Sequence, residues 1–322
     1  MQPILNMEIR PVGKGLHRPE CVVGAPNGDV YIPDWRGGVA VIRAHGGQEV
    51  WLADRPPIDL KPNGITPTAD GGFLIANLGD DGGFWELGAD GGLTPVLTEL
   101  EGRPVPPANF VFIDDDERIW GTVSTRHLPR QQAWRPDVRD GLLIRIDRGV
   151  ATLVADDLHY TNEVRVDPAG RHLYVVETFG KRLIRFPLRA GGALGERETV
   201  AQFGDGFFPD GFAFDAEGGI WVTSLICNQI ARITPDGRLS IVISETNAVF
   251  TTEAQAAFDE RRMARDHLGP IPDTRYQHVT SIAFGGPDGR DAWLGCLHTD
   301  GVFAFRSPVP GAPCPHWRYR LP

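Results

Sequence analysis

PDGFAFDAEGGIWV, residues 209–222, reads as a turn, a short apolar strand, an Asp/Gly-rich turn and a second apolar strand opening on Ile220-Trp221, with an acid at its entrance. The same plan recurs as PECVVGAPNGDVYI (19–32), PNGITPTADGGFLI (62–75), ANFVFIDDDERIWG (108–121), TNEVRVDPAGRHLYVV (161–176) and TSIAFGGPDGRDAWLG (280–295). The polar residue that leads each copy precedes the second strand by an almost constant offset. Glu20 leads to Val30, Asn63 to Phe73, Asn109 to Ile119 and Asp210 to Ile220, each by ten residues. Asn162 reaches Leu173 at eleven and Thr280 reaches Ala292 at twelve, where DPAGR and GGPDGR lengthen the turn.

The leaders are 43, 46, 53, 48 and 70 residues apart. Repeats of roughly 40 to 50 residues, each made of several short strands, are the pattern of a β-propeller. Six copies predict an all-β, six-bladed β-propeller, one domain over 1–322. A third apolar strand follows each hairpin (GVAVIRA, GGFWELG, GLLIRIDR, KRLIRFPL, NQIARITP, GVFAFRS), and QEVWLA, LTPVLTE, VATLVAD, ETVAQF and LSIVISE supply a fourth in five repeats. The sixth has none after Phe305, so the N-terminal ILNMEIRPV is expected to pair there and close the ring, which removes two exposed sheet edges. The long last interval holds TTEAQAAFDERRMARDHLG. It predicts one inserted helix over 251–268, amphipathic through Ala257, Phe258 and Met263, stopped by Gly269-Pro270. Such an insert is expected on the outer or lower surface, with a lid or an oligomer contact as the alternatives.

Composition agrees and excludes several classes. The 322 residues are 41% apolar, enough for a sizeable core, and 39 glycines, many in pairs between apolar runs, punctuate tight turns. A net charge of −10 with no basic run argues against a nucleic-acid partner. No apolar stretch is long enough to span a membrane, and the charged N-terminus lacks a signal-peptide core, so the expectation is a cytoplasmic protein. Cys21, Cys227, Cys296 and Cys314 form no C-x-x-C pair and read as reduced thiols. No G-x-G-x-x-G opens a helix after a strand, and no G-x-S-x-G elbow occurs.

In a propeller the first strand of each blade lines the central channel, so Glu20, Asn63, Asn109, Asn162, Asp210 and Thr280 should ring one mouth of it. Asn and Asp also serve as turn residues, but glutamate is a poor one. Two carboxylates converging on one axis with amide oxygens call for a cation between them. Hard oxygen ligands favour Ca²⁺, or Mg²⁺ or Mn²⁺, over Zn²⁺, which stays open as a further option. Open coordination positions would suit a Lewis acid acting on a small-molecule ester. Around this ring Trp35, His127, Glu177, His278 and His298 are further pocket candidates, and Arg126 could match a substrate carboxylate.

YTNEVRVDPAGRHLYVVET, FPDGFAFDAEGGIWV and TSIAFGGPDGRDAWLG resemble the senescence marker protein (regucalcin), gluconolactonase and luciferin-regenerating-enzyme family, over about His17 to Arg306. The resemblance implies a lactonase whose catalytic divalent cation is bound by Glu20, Asn162 and Asp210, with Asn109 touching substrate or completing the metal shell. Asn63 joins the substrate-binding set from its place in the ring. Asp210 would act on water as general base or, in the covalent variant, attack the substrate. Members resembling regucalcin carry an arginine two positions before the substrate asparagine, where this chain has Pro107. Diisopropyl-fluorophosphatase-like enzymes share a similar shell, so a phosphotriesterase is one alternative. A strictosidine-synthase-like enzyme is another, and a noncatalytic protein-binding propeller is the third. Monomer and homo-oligomer are both compatible with these residues.

Overall fold

The computed structural model describes residues 7–319 and 321. Six four-stranded antiparallel sheets follow one another along the chain, with one short extra ribbon, Glu99–Leu100 against Arg103–Pro104. Their first strands are Val23–Gly24, Pro62–Pro67, Phe110–Ile113, Thr161–Val166, Pro209–Phe214 and Val279–Gly285. These innermost strands touch one another around a central axis, so the fold is the expected six-bladed propeller. The second strands of four blades begin at Val30, Phe73, Ile119 and Ile220, as the offset of ten predicts.

Ring closure falls where the missing strand placed it. Arg10–Val12 pairs antiparallel with Val302–Arg306, Arg10 opposite Ala304, as the outermost strand of the sixth blade. Met7 and Ile9 pack against that blade's core, and the Ile4–Asn6 part of the expected strand lies outside the described residues.

Inner strands run close enough to forbid side chains at some positions. A Cβ on Gly211 would lie 2.5 Å from the Thr280 carbonyl and 2.6 Å from Glu163 Oε1, which accounts for the glycine after Asp210. The Asp/Gly turns have their own logic. Asp215 accepts from Gly219 N at 2.8 Å, Trp221 Nε1 at 2.9 Å and Arg232 Nε at 2.7 Å. Asp114 does the same for Trp120 Nε1 and Arg118 Nε, both at 2.8 Å. These recurrent aspartates lock hairpin turns to buried tryptophans, a structural task unlike that of Asp210. Burial of Trp120, Trp221, Tyr31 and the aliphatic rows between sheets supplies the core, each large side chain contributing roughly 1.5–3 kcal/mol.

The inserted helix, α1, spans Ala248–Asp259, three residues earlier than its sequence signal and shorter. Asn247 is its N-cap, accepting from Phe250 N at 3.0 Å, and the chain then turns at Glu260 before a single 3₁₀ turn, Arg265–Leu268. Its position is a correction to the expected outer or lower surface. Phe258 packs on Phe179 (5.5 Å, stacked) and Phe208 (5.1 Å, edge-to-face), in one cluster with Ala133, Tyr160, Leu225, Met263 and Leu297. Tyr160 and Phe208 stand just before inner strands, and Phe179, Leu225 and Leu297 just after second strands, so α1 covers the mouth that carries the ring.

The C-terminal stretch covers the opposite mouth. Trp317 Nε1 donates to Gly24 O at 2.9 Å, His316 Nε2 lies 2.9 Å from the same oxygen, and Ala312 N donates to Phe214 O at 2.9 Å. Among the described residues all four cysteines are unpaired, and no helix is long and apolar enough to cross a membrane.

Candidate functional site at one mouth of the channel

The ring residues owe their placement to interrupted strand pairing. In the fifth blade Pro209 pairs with Ser224 and Phe212 with Val222, so Asp210 and Gly211 together oppose Thr223. The same two-against-one arrangement holds Asn162 and Glu163 opposite Val176, and Asn63 and Gly64 opposite Ala76. Bulges of this kind bend a strand and re-aim a side chain, here at the start of these three inner strands.

Glu20, Asn63, Asn109, Asn162, Asp210 and Thr280 are all buried. Asn162 Nδ2 donates to Asp210 Oδ1 and also to Thr178 Oγ1 at 3.3 Å. Asn63 Nδ2 donates to Glu20 Oε1 at 3.2 Å and to Asn109 O at 3.0 Å. Asn109 Nδ2 donates to Ser124 Oγ at 3.0 Å, leaving its own Oδ1 buried without a donor. Thr280 spends its hydroxyl on Glu20 O at 2.7 Å, tying the sixth blade to the first. It is a structural member of the ring.

Two arginines join the ring. Arg18, at φ 57°, makes an ion pair with Glu20, donates to Asn63 Oδ1 at 2.6 Å and lies over Trp35 at 4.4 Å. Arg130 donates from Nη2 to Ser124 Oγ at 3.2 Å and lies over Tyr160 at 5.4 Å. Arg126, four residues earlier, turns away: it is exposed, donates from its backbone to Asp140 Oδ2 at 2.8 Å and pairs with Asp156 at 3.8 Å. His127 joins the same outward group through Asp140 at 2.9 Å. Arg130 therefore stands where the sequence reading set Arg126. It opens a 3₁₀ turn, Arg130–Ala133, directly after Pro129, a placement that no repeat in the sequence signals.

The remaining pocket candidates are structural. Glu177 accepts from His159 N at 2.7 Å and pairs with Arg182. His278 lies between Leu225 O (2.8 Å) and Gly269 O (2.7 Å), and burial pushes its pKa down to about 4, a neutral ring that donates to one of them. With His298, whose Nε2 meets Leu268 O, it fastens the end of the inserted segment.

Electrostatically the centre of the site is Asp210, only 4% exposed. Burial, then the charges of Glu20 and Glu163, hold its carboxyl well above the usual carboxylate range, against the pull of Arg18 and Arg130. Glu163, just below, is committed to Arg165 at 2.9 Å and Ser281 at 2.7 Å. Arg165 lies over Phe110 and Phe212 in the channel. A small cavity of about 70 Å³ beyond it is lined by Arg165, Ile282, Cys314 and His316. A larger groove of about 780 Å³ runs along Arg10–Val12 at the outside of the sixth blade and touches no ring residue.

The donor set fits a divalent cation. Asp210 is a buried carboxylate that forms no ion pair among the described residues, beside a second carboxylate and an amide oxygen without a donor. Such a charge in a low dielectric is costly unless compensated. Among the described residues no three His, Cys, Asp or Glu side chains cluster as a metal site, so a cation here depends on asparagine oxygens as well.

A 6-deoxy-6-sulfogluconolactonase of Pseudomonas putida is 31% identical over 173 residues, 52% of this chain and 56% of that protein. The chain thus spans about half the length of that curated relative. A gluconolactonase structure from Xanthomonas campestris superposes with a TM-score of 0.70 at 18% identity, covering 96% of this chain and 91% of the other. A calcium-binding protein, regucalcin, from Agrobacterium tumefaciens does so at 0.67 and 20%, covering 97% of each. At these identities both structures speak for the fold. Residues 19–258, which carry five of the six ring positions, match the description SMP-30/Gluconolactonase/LRE-like region, and the chain belongs to that family.

Proposed function

We propose that this protein is a divalent-cation-dependent hydrolase that opens lactones. The observation carrying the reading is the buried carboxylate of Asp210, without an ion pair among the described residues, beside Glu20 at the mouth that α1 covers. Family membership and the sulfogluconolactonase relative support the lactone as the ester concerned. Glu20, Asn162 and Asp210 would hold the cation, Ca²⁺ first on the hardness of the oxygens, with Mg²⁺, Mn²⁺ and Zn²⁺ to be compared. A divalent cation bound there would polarise the ester carbonyl and stabilise the oxyanion.

The chain's own contribution is orientation and proton transfer. Asn63 and Arg18 fix Glu20, Thr178 and Asp210 fix Asn162, and Ser124 fixes Asn109 with its Oδ1 free to meet substrate or cation. Asp210 accepts the proton of the attacking water as the new carbon–oxygen bond forms and returns it to the ring oxygen, which departs as an alcohol when the acyl carbon–oxygen bond breaks. The test is a chelated preparation titrated with each cation and assayed on aldonolactones, aromatic lactones and phosphotriesters. Lactone turnover should appear with one cation per chain and vanish in Asp210→Ala. Undiminished turnover in excess chelator overturns the proposal.

A further inference from the structure

We infer that Arg130, linked to Arg18 through Ser124, Asn109 and Asn63, forms a subsite for an oxyanion substituent on the substrate, so that the lactone taken carries a carboxylate or a sulfonate. This deepens the lactonase reading and rests on it for the reaction.

Arg130 is a cation without an anion. Among the described residues it makes no ion pair, and of its five donors one is engaged, by Ser124 Oγ at 3.2 Å. Its Nε is buried and has no acceptor, and so is Trp35 Nε1, on the ring that stacks under Arg18. An unmet buried donor on each arginine's side of the mouth, Arg130 Nε on one and Trp35 Nε1 on the other, calls for acceptors from a ligand, because each is costly to leave unmade. Arginine's planar fork matches carboxylate and sulfonate oxygens in pairs.

The two arginines belong to one assembly. Arg130 and Asn109 both donate to Ser124 Oγ, Asn63 donates to Asn109 O, and Arg18 donates to Asn63 Oδ1.

Charge balance points the same way. Glu20 and Asp210 offset Arg18 and Arg130, while Glu163 and Arg165 neutralise each other below. A divalent cation on the two carboxylates leaves the mouth with two surplus positive charges. A neutral lactone provides one negative charge, and only in the transition state. A lactone with an anionic arm provides a second from the start, under the apolar cover of α1, where charges interact more strongly than in water.

The experiment uses the cation-loaded protein and three lactones with the same ring, whose exocyclic terminus is a hydroxymethyl, a carboxylate or a sulfonate. Wild type should prefer an anionic lactone. In Arg130→Gln the anionic-to-neutral ratio of kcat/KM should fall about 10–100-fold, chiefly through KM, and Arg130→Lys should recover part of it. Calorimetry with ring-ether analogues, which cannot be hydrolysed, supplies a readout independent of turnover. The anionic analogue should lose at least tenfold in affinity in Arg130→Gln. Loss with carboxylate alone, or with sulfonate alone, supports the subsite and names its ligand. If no lactone is hydrolysed yet the anionic analogue still depends on Arg130, the reaction is wrong and the subsite stands. An unchanged ratio together with unchanged analogue binding in a folded Arg130→Gln protein overturns the inference.

Discussion

Replacing Asp210 by Asn should stabilise the cation-free protein while abolishing its response to cations. Asparagine keeps the shape, and its contact with Asn162 persists as a neutral hydrogen bond, at a loss of about 1 kcal/mol. Against this, the substitution removes a buried charge opposed by Glu20 and Glu163, whose effective penalty is several kcal/mol before Arg18 and Arg130 offset part of it. The net gain is about 1–3 kcal/mol. With an unfolding entropy of about 2.1 cal/mol/K per residue, a chain of 322 residues shifts by roughly 1.5 °C per kcal/mol, so Tm should rise by about 1.5–4.5 °C in excess chelator. The pH dependence has a definite sign. The folded carboxyl holds its proton above the ordinary value of 3.8, so the advantage of the variant is small at that pH, grows as pH rises and levels off above the raised pKa. Cation at a thousand times its Kd then adds about 4.1 kcal/mol to wild type alone and reverses the order. Scanning calorimetry at two pH values, with chelator and with cation, reads all of this. A variant no more stable than wild type in chelator, as expected if Asp210 were only a turn residue for which asparagine serves equally well, refutes the reasoning.

Two further outcomes separate structure from chemistry. Asp215→Ala, which strips acceptors from Arg232, Trp221 and Gly219, should lose about 3–5 kcal/mol in chemical denaturation, yet a folded fraction should still bind one cation per chain. Phe258→Ala removes the ring between Phe179 and Phe208 and should cost about 3–5 kcal/mol of lid docking. Hydrogen exchange should then quicken over 248–259 and at Ala133–Trp134, while the strands of the first two blades keep their protection.

Blades were legible because each hairpin repeats one offset, and the ring because that offset carries one polar position to the same height in every sheet. The bulges behind this register left a trace, Gly64 and Gly211 directly after Asn63 and Asp210, where neighbouring inner strands leave no room for a Cβ. Arg18 and Arg130 were not legible. Each sits outside the repeat, Arg18 in a left-handed backbone conformation and Arg130 at the start of a 3₁₀ turn, and no period predicts the direction of either. Arg126 and Arg130 share one loop and one chemistry, and what separates them is Asp140 and Asp156 capturing the first. The helix was visible as composition, but its docking face depends on residues from the third to sixth blades, distant in sequence and brought together by the packing of consecutive blades.

Closure of the ring by the N-terminal strand also sets an order in time. Arg10 meets Ala304, so the outermost strand of the last blade is synthesised before every other strand of the propeller and must wait until five other blades and the sixth blade's own strands exist. The entropy of bringing such distant residues together grows only logarithmically with separation, so the delay is chiefly kinetic. During it the outer edge of Val302–Arg306 and the segment 10–12 both present unpaired backbone, each able to capture the same segment of another nascent chain. Propeller assembly is therefore most exposed to intermolecular strand exchange at the moment of its last intramolecular pairing.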